Sequence, residues 1–281
     1  MTVLTYTKSF ADPCLYHQWD PKYGLLIWIS YCDDLLCVGN NRHRVLQEIA
    51  RMENEFEVDH VGPLSDYLGC NLEFNWAERS CRFTQPVLIQ SLRDEHKASD
   101  KAVALPAQAG VNLRRPAEGE EVLSAEQQKT YRGIVGRLLH MTAWSRQILS
   151  NATREVSRFG HRSTKIHLKA LTQLVNYAWQ IPKRGWCLKP TRTWDGIDKS
   201  FKFRICGKSD SSYATCVDTR KSVTGYVVYL EGAPVAIKSV MQRIIALSVT
   251  EAELIALVQC IQEMFLLKRS LNHLACALNC Q

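Results

Sequence analysis

The sequence predicts an α+β fold in which strand-rich segments at either end flank a helical middle. Three observations predict it. Short apolar runs closed off by turn residues dominate residues 1–100 and return after Phe201. Apolar residues at helical spacing dominate residues 124–180. A segment rich in Ala, Pro, Gly and charge, residues 97–123, reads as a linker between the first part and the second. The expected units are residues 1–100, 101–200 and 201–281.

The elements follow in order. YGLLIWIS and LLCVG flank YCDD, so residues 23–39 read as a β-hairpin bent near Cys32–Asp33. Val45, Ile49, Met52 and Phe56 are then spaced for one face of a helix. Tyr67–Phe74 returns to strand character, and RFTQPVLIQSLRDEH reads as a short strand followed by a helix. Beyond the linker, Ser124 and Gln127 have capping-box spacing and open a helix through YRGIVGRLLHMTAW. ILSNATREVSRF and HLKALTQLVNYAW supply two more helices, and IPKRGWCLKPTRTWDGIDKS reads as a loop or irregular hairpin. FKFRICGKSD and VTGYVVYL are strands, and PVAIKSVMQRIIALS supplies one long strand or two short ones. The last element is an amphipathic helix, with Ser248 and Glu251 at N-cap and N3 and with Leu254, Val258, Ile261 and Phe265 as its apolar stripe.

At 46% hydrophobic residues over 281 positions, the chain can bury a substantial core. No apolar run approaches the length of a membrane span, and the N-terminus lacks the apolar stretch of a secretory signal. Eleven cysteines, an odd number without a CxxC pair, suit free thiols in a reducing compartment. An intracellular protein, cytoplasmic or nuclear, is expected. His273, Cys276 and Cys280 come closest to metal spacing but lack a fourth ligand. Charge is divided along the chain. Residues 1–100 carry 9 Lys/Arg against 15 Asp/Glu, a balance of −6, and residues 101–281 carry 26 against 13, a balance of +13. Such asymmetry suggests a polyanionic partner for the basic part, with a solvated basic surface as the alternative.

Asp33 and Asp34 pose a question of charge. Adjacent carboxylates repel and are costly to bury, so this is either an exposed Asx-type turn or the seat of a cation. SYCDDLLCVGN between two strands resembles the Tyr-x-Asp-Asp hairpin of reverse transcriptases. The surrounding text resembles the Pol polyprotein of copia-type LTR retrotransposons. ADPCLYHQ before the hairpin, DYLGCNLE after it, YRGIVGRLLHMTAWSRQ, DTRKSVTGYVVYLEGAPVAIKS and ALSVTEAELIAL fall in that family's order over nearly the whole chain. The resemblance implies an incomplete reverse-transcriptase palm, a helical thumb or connection region, and a partial ribonuclease H-like β-β-β-α unit.

The same resemblance implies roles for particular residues. Asp33 would be a direct Mg²⁺ ligand and Asp34 the second carboxylate, with Tyr31 close to the growing primer end. Leu68 and Gly69 match the strand pair that holds the primer, where glycine permits close backbone approach. Asp210 and Glu253 match the first-strand and first-helix carboxylates of ribonuclease H, and the implied partner is an RNA–DNA hybrid or duplex. Both chemistries use two divalent ions to clamp attacking and leaving oxygens, and carboxylates are the hard ligands Mg²⁺ prefers. Thr250 could also use Glu253 as a capping partner; a cap at Ser248 instead leaves Glu253 in the second turn, facing the sheet edge.

The chain also departs from the family. Asp12 and Asp20 lie too close to the hairpin to serve as the upstream palm aspartate. No Asp follows Asp218, and the last Glu is Glu263. Each centre is therefore expected to lack a carboxylate, leaving an isolated chain catalytically incomplete. Gln147–Ile148 stand where the family carries Pro-Asp, and Cys32 stands where Val or Met is usual.

Overall fold

The computed structural model describes residues 6–96, 103–108, 111–181, 183–198 and 200–276. Strands β1 (Thr7–Lys8), β2 (Leu15–Asp20), β3 (Gly24–Tyr31) and β4 (Asp34–Gly39) form an antiparallel meander in that order. Helix α1 (Arg42–Glu55) covers it, capped by Asn41, whose side chain accepts the Arg44 N–H at 3.0 Å. Val45, Ile49 and Met52 pack against Tyr6, Leu26 and Trp28, as their spacing requires. Phe56 lies one residue past the helix and is half exposed, so the expected fourth member of that face drops out.

A second sheet runs β5 (Asp66–Tyr67), β6 (Cys70–Asn75), β7 (Ser80–Thr84) and β8 (Trp186–Leu188). Its last strand comes from the segment expected to be a loop or irregular hairpin. Trp186 pairs with Phe83 and Leu188 with Cys81, so a piece of the middle region completes a sheet of the first. Only three residues long, β8 has no period of its own to read in the sequence.

Helices α2 (Pro86–His96), α3 (Ala125–Trp144), α4 (Ser150–Ser157) and α5 (Lys165–Gln180) enclose the largest core. The capping box at Ser124 and Gln127 is formed in both directions. Tyr131, Ile134, Leu138, Met141, Leu171 and Leu174 are wholly inaccessible. The expected linker lies partly outside the described residues, and its described part is not loose. Leu113 and Leu123 are buried in this core, and the Arg114 carbonyl lies 2.9 Å from His167 Nε2. Isolated apolar residues among Ala, Pro and Gly leave no periodic trace, so a packed strap reads as a linker. Arg146 is also buried here. Its guanidinium donates to the carbonyls of Ala178 and Ile181 at the end of α5, and burial lowers its pKa to about 10.

The third sheet orders β11 (Ala233–Met241), β10 (Val223–Leu230) and β9 (Ile205–Ser212), all antiparallel, with α6 (Val249–Cys276) laid across one face. The expected stripe of α6 is corrected. Ala252, Ala256 and Cys260 are the buried residues, whereas Leu254, Val258, Ile261 and Phe265 are 39–58% exposed. The reason is distance. A Cβ added at Gly207 on β9 would sit 2.6 Å from Cys260 Sγ and from Met264 Sδ, so the helix lies too close to the strand for large side chains. Replacing Leu171 by Ala should cost ~2–5 kcal/mol of unfolding free energy, and Leu254→Ala less than about 0.5 kcal/mol, read from urea melts.

The β10–β11 turn carries a buried charge. Glu231 and Gly232 both adopt left-handed φ (50° and 83°), the geometry of a tight hairpin turn. The Glu231 carboxylate is 3% exposed and accepts from both Nε and Nη2 of Arg192 at 2.8 Å, and from the Arg204 backbone. Its own carbonyl accepts the Thr191 N–H at 2.7 Å. The Arg192 hydrogen bonds lead the causes that lower its pKa from 4.5 to about 2. Because the folded value lies below the unfolded one, the stabilisation is complete above about pH 4.5 and lost as pH falls towards 2. Glu231→Gln should flatten the pH dependence of stability in that window and lower stability at neutral pH, measured by urea melts from pH 7 to 2.

Candidate functional site

The YCDD segment is the tip of a hairpin anchored at its root. Leu25, Leu26 and Trp28 of β3 are buried, and the strand then climbs out of the core to Tyr31, which is 51% exposed. Tyr31 pairs with Asp34, leaving Cys32 and Asp33 as the two-residue turn, with Cys32 at φ 51°. Both aspartates are exposed, so repulsion between them is screened by water rather than stored.

Leu68 and Gly69 form a second two-residue turn. Tyr67 pairs with Cys70, and the two turn residues have φ of 53° and 72°. The Tyr67–Phe74 stretch, read as strand-like, therefore reverses direction at Leu68–Gly69. The reason for Gly69 also changes. No atom of the described structure lies within 4 Å of an added Cβ, so the glycine answers to its left-handed backbone and not to a close approach within the chain. The two turns lie near each other. Burial first, then the charge of Asp34 and the neighbouring Tyr31, push the Tyr67 phenol above its usual pKa. Tyr31 and Asp34 are exposed and the half-buried Tyr67 lies within their electrostatic reach.

The C-terminal carboxylates are arranged differently. Ser248 caps α6, its Oγ accepting the Glu251 N–H at 3.1 Å, which leaves Glu253 free in the second turn. Glu253 Oε1 accepts from the backbone N–H and hydroxyl of Ser211 on β9, at 3.2 and 2.8 Å. Asp210 is the adjacent residue, but strand neighbours point to opposite faces. Gly207, Ser209 and Ser211 belong to the half-buried set under α6, and Cys206, Lys208, Asp210 and Ser212 to the exposed set. Glu253 and Asp210 therefore reach the same strand from its two sides.

The Mg²⁺ pair implied by the family pattern asks for carboxylates converging on shared ions. Among the described residues, no group of three or more His, Cys, Asp or Glu is placed to hold a metal. The carboxylates of the described residues do not fit a two-ion centre. Of the spaced zinc candidates, His273 lies 3.1 Å from the Lys8 carbonyl and stacks edge-on to His17, while Cys280 lies outside the described residues. Two polar features escaped the sequence reading: the Glu231 clamp and the Arg154–Glu155–Arg158 group at the end of α4. Neither has a motif; the single signal available was the excess of arginine in the second half.

No family model matches the chain, and no solved structure does. Curated relatives do match. The chain is 28% identical over 274 residues to the retrovirus-related Pol polyprotein from transposon TNT 1-94 of Nicotiana tabacum, covering 96% of this chain and 20% of that protein. It is 26% identical over 262 residues to the retrovirus-related Pol polyprotein from transposon RE1 of Arabidopsis thaliana, covering 90% and 16% respectively. It is also 30% identical over 135 residues to secreted RxLR effector protein 161 of Plasmopara viticola, covering 47% of this chain and 87% of that protein. The chain is thus homologous to retrovirus-related Pol polyproteins of plant transposons and spans a fifth or less of their length. Asp34→Asn should lower the Tyr67 pKa while leaving it above that of a free phenol, because burial is the larger cause; ultraviolet titration against Tyr67→Phe reads the shift.

Proposed function

We propose that this homologue of transposon Pol polyproteins is a copia-type fragment that runs from the end of a reverse-transcriptase palm, through a thumb or connection region, into the start of ribonuclease H. The observation that carries the reading is the nearness of two hairpin turns. Tyr31, Asp33 and Asp34 sit at one exposed turn, and Tyr67, which flanks the Leu68–Gly69 turn, lies within electrostatic reach of it, as in a polymerase metal hairpin beside a primer-holding turn. The β9–β10–β11–α6 order, with Glu253 on the strand that carries Asp210, supports the ribonuclease H part. The chain contributes the apparatus around two centres without a complete metal clamp at either.

On this reading the purified chain gives no Mg²⁺-dependent primer extension and no cleavage of an RNA–DNA hybrid. Extension above background that disappears in Asp33→Asn, or cleavage that disappears in Glu253→Gln, would overturn the claim of incompleteness. It would favour the alternative, that this region works as part of an active polymerase and ribonuclease H together with residues of a longer protein.

A second reading has its own observation. The +13 balance of residues 101–281 suits non-catalytic binding of duplex or hybrid through phosphate contacts. It requires sequence-independent binding that weakens by orders of magnitude, roughly 10³-fold or more, between 50 and 200 mM salt if six or more phosphates are contacted. Filter binding that fails even at 50 mM salt removes it.

A further inference from the structure

We propose that the cleft between the helical core and the C-terminal sheet binds a small organic phosphate ester. This inference does not rest on the polymerase reading. The cleft lies between residues 106–108 and 111–113, helices α4 and α5, and the adjoining ends of β9 and β10. It holds about 450 Å³, within the ~300–1,000 Å³ typical of small-molecule sites.

Its charges favour an anion. The charged lining residues are Arg154, Arg158, Lys169 and Glu155, a surplus of two positive charges. Glu155 is shared by both arginines, at 2.7 and 2.8 Å, and Arg158 is held further by Asp218 at 3.2 Å. Arg154 is less fully matched. Its Nη2 reaches Glu155 and Asn151, and its Nε lies 3.4 Å from the Ser239 hydroxyl. Its Nη1 is buried and has no hydrogen-bond partner among the described residues. That nitrogen is closed to solvent, so a phosphate in the cleft would be held by the Arg154 charge and by the part of its side chain that lines the cleft. Lys169 is exposed on the same wall, with no carboxylate paired to it among the described residues.

The remaining lining is divided in a way that suits an ester rather than a bare ion. Asn112, Gln173 and Ser212 offer neutral donors and acceptors, while Val111, Ile166 and Val223 form an aliphatic wall. The phosphate would sit against Arg154 and Lys169, with the organic body along that wall. Such a site is a cleft of nucleotide size and not a track for a strand.

Equilibrium dialysis of the full chain against adenosine 5′-monophosphate, inorganic phosphate, adenosine, and a short single-stranded DNA with and without a 5′-phosphate tests the assignment. Saturable binding of the monophosphate is expected, with phosphate competing more weakly and adenosine not bound. Arg154→Gln should weaken it at least tenfold and Lys169→Gln severalfold, with Lys129→Gln, remote from the cleft, unchanged. Circular dichroism of each variant monitors folding; because Lys169 is exposed, its variant keeps the test valid should Arg154→Gln unfold. Absence of saturable binding at millimolar monophosphate, or binding unchanged in folded Lys169→Gln, overturns the proposal. So does capture of the 5′-phosphorylated strand in preference to the free monophosphate, which would make the occupant a nucleic-acid end.

Discussion

Burial of one face of α3 is the constraint on which the other elements depend. Tyr131, Ile134, Leu138 and Met141 are sealed from water, and the Tyr131 hydroxyl donates to the Val156 carbonyl at 2.8 Å from inside that seal. Ile89 and Leu92 of α2 reach the same core from the first part of the chain, and Leu113 and Leu123 tie down the segment between them. Apolar burial at about 25 cal/mol per Å² is the dominant favourable term, so the strap and α2 are held by the core they complete. Arg146 shows how tightly the space is filled: a guanidinium without a carboxylate is kept there because the last carbonyls of α5 need donors. With α2 and α5 fixed, β7 and β8 at their flanks are brought into register.

What could be read in advance was local. The YCDD hairpin, the Ser124 capping box and the Ser248 cap each depend on a few adjacent residues whose preferences agree with the fold. What could not be read was which neighbour each face would meet. Helix α6 has two apolar stripes, one of large residues and one of Ala and Cys. Periodicity favours the large one. The sheet chooses the small one, because Gly207 and the half-buried serines of β9 let backbone approach backbone. The same limit hid β8 and made the Leu113 strap read as a linker. At Leu68–Gly69 periodicity gives no sign of the reversal, because a two-residue turn with leucine first has none of the Asn-Gly or Asp-Gly signal that usually announces it; only the resemblance placed a strand pair there.

The candidate carboxylates divide along a similar line. Their positions in sequence were legible, but their convergence was not, since a one-residue step along a strand moves a side chain to the other face. Ser211 and Glu253 share the α6 side of β9, and Asp210 shares the opposite side with Lys208. At the hairpin the opposite happened: two separate motifs lie near each other, with Asp34 and Tyr31 within electrostatic reach of Tyr67. Alternation along a strand thus separates one pair and leaves the other cluster intact.

Asp210 also has a plain physical role. Strand β9 ends its sheet, and apart from the Ser211 N–H, which Glu253 accepts, its outer edge is a template for pairing with another chain. Charged residues on an edge strand discourage such pairing, and Lys208 and Asp210 alternate there on the exposed face. Beside them the large apolar stripe of α6 faces water, which makes that protection matter more, since an apolar patch next to a free edge is the usual seed of association. A carboxylate at position 210 therefore answers a demand of solubility. That demand acts through Asp210 alone, because a charge keeps strands apart without needing Glu253 on the same side.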